Sequence, residues 1–345
     1  MLYALCSKYR NYVLKYYVRI GLLWYNKAMN RRLQPQAQEP QRRNLPERLS
    51  QGFRIVRRAP WVILMPILLD LWLRLLPALA PNRWLASISS VVNRFSRAQS
   101  QQLWAQANEL LQTVDLRSSA VGTYLVPSLF SGAGSPSLHN DAPWLFDGWL
   151  TLLLVLGLNV LGLGFSAIVL FWLGRNLDQA QPAWAALPKQ LWNLAKLSLI
   201  IVGLGLLFGI PALVAASFLL SASAFGAQLV LAAFGVVLIT LWVYASLAPA
   251  AIMLGQQSAL IALYQSYNLV RQQPREALPL IIASGVLIHG TAFLLRPLAT
   301  NMISILAASA LFGLLSCSLQ AAKLVFYNER VGSLAHRFPV ALTQK

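Results

Sequence analysis

Asp70 and Arg74 stand four apart in an otherwise apolar run, so a helix would place both on one face. At about 1.5 Å per residue, Asp70 falls near the middle of a bilayer if that run spans it. Either charge alone would cost about 2.5–3.5 kcal/mol there on insertion scales. Paired, and facing other helices, they cost less. The pair reads first as structural: a self-neutralising brace that fixes its helix in a bundle, with Arg74 reaching outward. The competing reading is a polar patch on a solute or proton path. No second acidic residue lies in any other apolar run to extend such a path.

His289 lies inside another apolar run, next to Gly290. A buried, hydrogen-bonded histidine is expected there, because a metal site needs three or four convergent ligands. His139 and His336 fall on opposite sides of the membrane in the topology derived below. Asn159 is expected to bond a neighbouring helix. No Walker loop, HExxH, CxxC pair or GxSxG elbow occurs. Glu109, Asp115, Asp141 and Asp147 could meet on one side, yet their segment of 67 residues is thin for a catalytic domain. Neither an enzyme nor a metal nor a cofactor is expected.

The elements that must position these residues are membrane helices. Of 345 residues, 57% are hydrophobic and 11% charged, and mean hydropathy is +0.57. Residues 197–270 hold 74 consecutive positions without a formal charge. A span needs about 20 mostly apolar residues. The fold class is therefore all-α: a polytopic helical bundle of about six spans with amphipathic interfacial helices. The net charge of +18 would suggest nucleic acid in a soluble chain. Here the positive-inside bias and attraction to anionic headgroups account for it, and no nucleic-acid partner is expected. Cys6 and Cys317 read as cytoplasmic and intramembrane, so no disulfide between them is expected.

Residues 1–30 read as a helix lying on the membrane. Leu2, Leu5, Tyr9, Tyr12, Tyr16, Ile20 and Leu23 recur at spacings of three and four. Lys8, Lys15 and Arg19 flank that stripe on one side and Arg10 on the other, as candidate anionic-lipid contacts. Residues 31–51 are a polar linker rich in Pro, Gln and Arg. A six-span domain over 52–322 follows, with spans near 59–80, 148–173, 197–220, 224–248, 278–296 and 302–322. Residues 81–147 form the segment outside the cytoplasm. A surface helix is expected within 175–196, an amphipathic piece at 255–273, and a basic cytoplasmic tail at 323–345. Gly205 with Gly209, and Ser309 with Gly313, should allow close helix approach. Pro211 should kink its span. Six spans put both ends on one side. Of the 28 Lys and Arg residues, 22 then share the side of the termini and 5 face it across the membrane, so both ends are cytoplasmic.

One segment recurs. Gly52-Phe53-Arg54-Ile55-Val56-Arg57-Arg58-Ala59-Pro60 matches Ser266-Tyr267-Asn268-Leu269-Val270-Arg271-Gln272-Gln273-Pro274 at an offset of 214 without a gap. Each copy reads as a short amphipathic helix at the interface, with its arginine at headgroup level. A turn follows, then proline at the start of a span. The pattern carried by Ala262, Ser266, Leu269, Val270 and Arg271 resembles that of uncharacterised bacterial polytopic proteins. These are similar to the membrane domain found beside some glycerophosphodiester phosphodiesterases. The entry at 57–71, Val126-Pro127-Ser128-Leu129, and Phe326-Tyr327-Asn328-Glu329-Arg330 resemble the same proteins. The resemblance implies a six-span α-helical fold in a bacterial plasma membrane. It implies no activity, because the phosphodiesterase chemistry belongs to a separate soluble domain.

Two functions fit. The first is a non-catalytic scaffold, assembly factor or accessory subunit that docks membrane-protein partners or lipids. The second is a small-solute or ion transporter with its polar patch at Asp70 and Arg74. A transporter needs a water-accessible cavity at Asp70; a scaffold should be packed solid there.

Overall fold

The computed structural model describes residues 44–75, 129, 148–177, 184–220, 224–299 and 301–337. The chain divides into two units, 1–44 and 45–345, and every helix below belongs to the second. The described residues are helical, with no strand among them. In chain order they form α1 (Leu45–Arg58), a 3-10 turn (Pro60–Ile63), α2 (Leu64–Leu75), α3 (Gly148–Arg175), a second 3-10 turn (Trp184–Ala186), α4 (Leu187–Leu220), α5 (Ala224–Ala245), α6 (Ala248–Gly255), α7 (Ala259–Gln272), α8 (Pro274–Leu295) and α9 (Met302–Arg337). Four stretches are long and apolar enough to cross a membrane: Trp184–Ala216, Gln228–Gly255, Pro274–Leu295 and Met302–Arg330. Pro60–Leu73 and Asn159–Arg175 are shorter apolar helices.

The two copies of the repeated segment fold alike. α1 and α7 each have 14 residues, and both their ends are offset by 214. Each helix stops at one residue of the same unusual backbone: Ala59 at φ −134°, ψ 65°, and Gln273 at φ −129°, ψ 53°. Each stop is followed by Pro60 or Pro274 at the start of the next helix, where the missing N–H costs nothing. The buried positions correspond as well. Ile55 and Val56 match Leu269 and Val270 inside, while Arg57 and Arg271 stay exposed. Gly52 and Ser266 both mark the closest approach to a neighbour. A Cβ on Gly52 would overlap the Ser318 carbonyl oxygen and come within 3.1 Å of the Ala322 nitrogen of α9. The Ser266 hydroxyl accepts the Leu247 N–H at 3.2 Å and donates to the Tyr244 carbonyl. It thereby satisfies two backbone groups released where α5 breaks before α6.

Three element boundaries differ from expectation. The polar linker expected over 31–51 is helical from Leu45, because Leu45 and Leu49 give the start of α1 an apolar side that packs on the core. The surface helix expected within 175–196 is the start of α4, which runs unbroken from Leu187 through Pro211 to Leu220. Its polar residues turn inward: Gln190 Nε2 donates to the Met253 carbonyl at 3.0 Å, and Asn193 Nδ2 to that of Gln257 at 3.2 Å. Both bonds tie this turn to the end of α6 and the residues just after it. The basic tail expected from 323 is likewise helical as far as Arg337. Leu324, Val325 and Phe326 give it a buried face that a count of charges overlooks. Close helix approach holds at Gly313, whose added Cβ would lie 3.1 Å from Ile63 Cγ2, and at Gly209, 3.0 Å from the Phe234 ring. Gly205 faces open space.

One large core joins α1, α3, α4, α6, α7, α8 and α9. A smaller one packs Leu69 and Leu73 of α2 against Leu129, Ile288, Ile305 and Phe312.

Candidate functional site

Charged groups stand at both ends of α8. At its first turn stands Glu276, where the helix N-terminus favours a negative group. Arg48 reaches it from α1. One turn before Gly52, Arg48 is pressed against α9 and is 2% exposed. Its Nη2 donates to Glu276 Oε2 at 2.7 Å and its Nε to Glu329 Oε2 at 3.2 Å. The guanidinium carbon lies 4.8 Å from the centroid of the Phe326 ring. Arg330 donates to the same Glu276 oxygen. Two guanidinium groups and two carboxylates thus form a neutral network tying α1, α8 and α9. Beside it the Tyr327 hydroxyl donates to Gln265 Oε1 at 2.8 Å, which links α9 to α7. The carboxylates are spent on charge-assisted bonds, so this arrangement suits holding helices rather than moving protons.

At the far end of α8 sits Arg296. Its Nε donates to the Leu129 carbonyl at 2.7 Å. Arg296 therefore ties the end of α8 to Leu129. Asp70 is fully buried.

Of the residues singled out in the sequence, Asp70 lies in α2 between the core residues Leu69 and Leu73. Arg74 belongs to α2, but its side chain lies outside the described residues, so the Asp70–Arg74 pair stays an expectation. Asn159 is half-buried and has an interaction partner. His289 is corrected: it is exposed, not buried. Helical spacing puts it on the outer face of α8 with Ile282, Val286 and Phe293, all of them exposed. Lys8, Arg10, Lys15 and Arg19 lie outside the described residues. Among the described residues, no group of three or more His, Cys, Asp or Glu could hold a metal ion.

The Arg48 network escaped the sequence reading, and so did a third copy of the repeated segment. Gln190-x-Trp192-x-Leu194-Ala195-Lys196 at the start of α4 matches Gln51-x-Phe53-x-Ile55-Val56-Arg57 and Gln265-x-Tyr267-x-Leu269-Val270-Arg271. In all three the aromatic is exposed, the aliphatic at the fifth position is buried and the base is exposed. Aligning each span's entry with the others would have found it. No family model, no curated protein and no solved structure matches this chain.

Proposed function

We propose that the protein is a non-catalytic, multi-pass scaffold of the plasma membrane that docks lipid or membrane-protein partners. It crosses the membrane six times with both termini in the cytoplasm, the orientation favoured by the charge split. The burial of Asp70 carries this reading. An acid on a transport path needs water, whereas Asp70 has no exposure and lies between the buried Leu69 and Leu73. The Arg48 network adds support, since its charges bind helices to one another.

The test uses the full chain with Cys6 replaced by serine, Cys317 by alanine and Leu73 by cysteine, in native membranes. A membrane-impermeant maleimide should fail to label it from either side, then label it after denaturation. Labelling in the intact membrane would reveal a water path beside Asp70 and favour the small-solute or ion transporter. A cysteine at Arg42 should be labelled only from the cytoplasmic side; labelling from outside would overturn the topology.

A further inference from the structure

We propose that the corner between α1 and the end of α3 binds a phosphate group, that of an anionic phospholipid. A cavity of about 40 Å³ opens there. One buried water needs about 10–15 Å³, so the space suits the oxygens of a single tetrahedral anion. Gln51, Arg54 and Arg58 line it from α1, and Asn176 and Leu177 close it just beyond α3. Arg54 and Arg58 are one helical turn apart, so both guanidinium groups border the same opening. The planar guanidinium fork is the side chain best matched to phosphate oxygens.

The surroundings place the cavity at headgroup depth. The last turns of α3 carry Trp172, whose ring centroid lies 4.5 Å from that of Trp61 and 5.3 Å from that of Trp184. The Arg175 guanidinium lies 5.8 Å and 5.5 Å from the Trp172 and Trp184 rings. Tryptophan and arginine concentrate where a bilayer meets water. A phosphatidylglycerol headgroup brings a net negative charge to this cationic corner. A choline headgroup would bring its ammonium against the same arginines. Free phosphate shares the recognised chemistry, so the experiment separates the two sources. The inference deepens the reading of the chain as a docking scaffold, but its variants do not touch Asp70. Failure here would therefore leave the maleimide result standing.

The experiment measures thermal stability of the full chain in neutral detergent. It titrates phosphatidylglycerol, phosphatidylcholine or inorganic phosphate. Phosphatidylglycerol should raise the melting temperature more than the other two. Arg54→Gln/Arg58→Gln should bind it about thirtyfold more weakly, which is ~2 kcal/mol at ~1 kcal/mol per basic residue. Both arginines are exposed, and the melting temperature without lipid checks that the variant folds as the parent does. Arg54→Lys/Arg58→Lys, which keeps the charge and loses the fork, should fall between the two. Lys196→Gln/Arg271→Gln removes equal charge at exposed positions elsewhere and should leave the response intact. An equal loss in that control would reduce the effect to diffuse surface charge and overturn the site. So would unchanged affinity in Arg54→Gln/Arg58→Gln, or equal responses to the two lipids in the parent. A full response to inorganic phosphate would keep the phosphate site and overturn the lipid as its source.

Discussion

Arg48→Met removes one guanidinium from the network at the start of α8 and keeps a long, flexible side chain in its place. Two contacts to carboxylates disappear, at 2.7 Å to Glu276 and 3.2 Å to Glu329. Arg330 still holds Glu276, but Glu329 loses the Arg48 bond in a place that is 17% exposed. Breaking a buried pair by removing one partner costs about 3–5 kcal/mol, because the surviving charge stays desolvated. Loss of the cation–π contact with Phe326 adds about 0.5–2 kcal/mol. These terms overlap, so the lower half of their combined range is expected. At roughly 2–4 °C per kcal/mol for a domain of a couple of hundred residues, melting should fall by at least about 6 °C in detergent. Arg48→Met/Glu329→Gln leaves the Glu276–Arg330 pair balanced and should recover part of that loss. The coupling between the two sites should be about 0.5–3 kcal/mol. If Arg48→Met melts within about 1 °C of the parent, the network does not hold α1 to the bundle. If the double variant melts as low as the sum of the singles, the two residues act independently and the electrostatic account fails.

Three further outcomes follow from single contacts. Gly52→Ala should cost about 1–3 kcal/mol, since its Cβ would overlap the Ser318 carbonyl oxygen and only a backbone shift could relieve it; an unchanged melting temperature would show that α1 does not press on α9 there. Ser266→Ala should cost about 1–3 kcal/mol by stranding the Tyr244 carbonyl and the Leu247 N–H, with faster amide exchange at Leu247 as its local signature. His289→Leu should stay within about 0.5 kcal/mol of the parent in detergent, because the side chain faces outward; a larger drop would mean that something packs on that face of α8.

The long apolar helices were legible because crossing a bilayer demands long apolar runs, and four described stretches meet that demand. Helices α3, α5 and α8 begin and end close to where hydropathy put them. The repeated segment was legible too, since one physical problem, turning from an amphipathic helix into an apolar one, was solved twice with similar residues. What stayed hidden depends on distance along the chain. Arg48 looked like one more base in a cationic arm, because its partners lie 228 and 281 residues away. Arg296 was counted only as a charge outside the membrane. Periodicity cannot say which face of a span meets protein, and this is why His289 was assigned to the interior. On α8 the buried stripe runs through Leu280, Ile281, Ser284 and Ile288, and His289 falls one residue beyond it. The start of α4 misled for the opposite reason. Gln190 and Asn193 look solvated until α6 offers its carbonyls.

Packing is distributed unevenly, and that bears on what the bundle does. Half of the most apolar stretch of α9 is buried inside the protein, against 6% for the stretch that begins in α5 and 12% for the one in α4. Helices α4 and α5 pack on each other, as Gly209 against Phe234 shows, and α5 meets α8 where Trp242 crowds Gly285. Most of their remaining surface, including Leu199, Leu207, Val236 and Ile239, is exposed. The stability of the chain must therefore reside where α1, α7, α8 and α9 join, around the Arg48 network and the large core. The α4–α5 hairpin gains little from the rest of the protein and depends on whatever surrounds it. For a scaffold this division is useful: a rigid end keeps its shape while a large apolar face stays open to lipid or partner helices. A transporter would need the reverse, with its mobile contacts gathered around a central polar path. Here Asp70, the most deeply buried acid among the described residues, has no exposure to water.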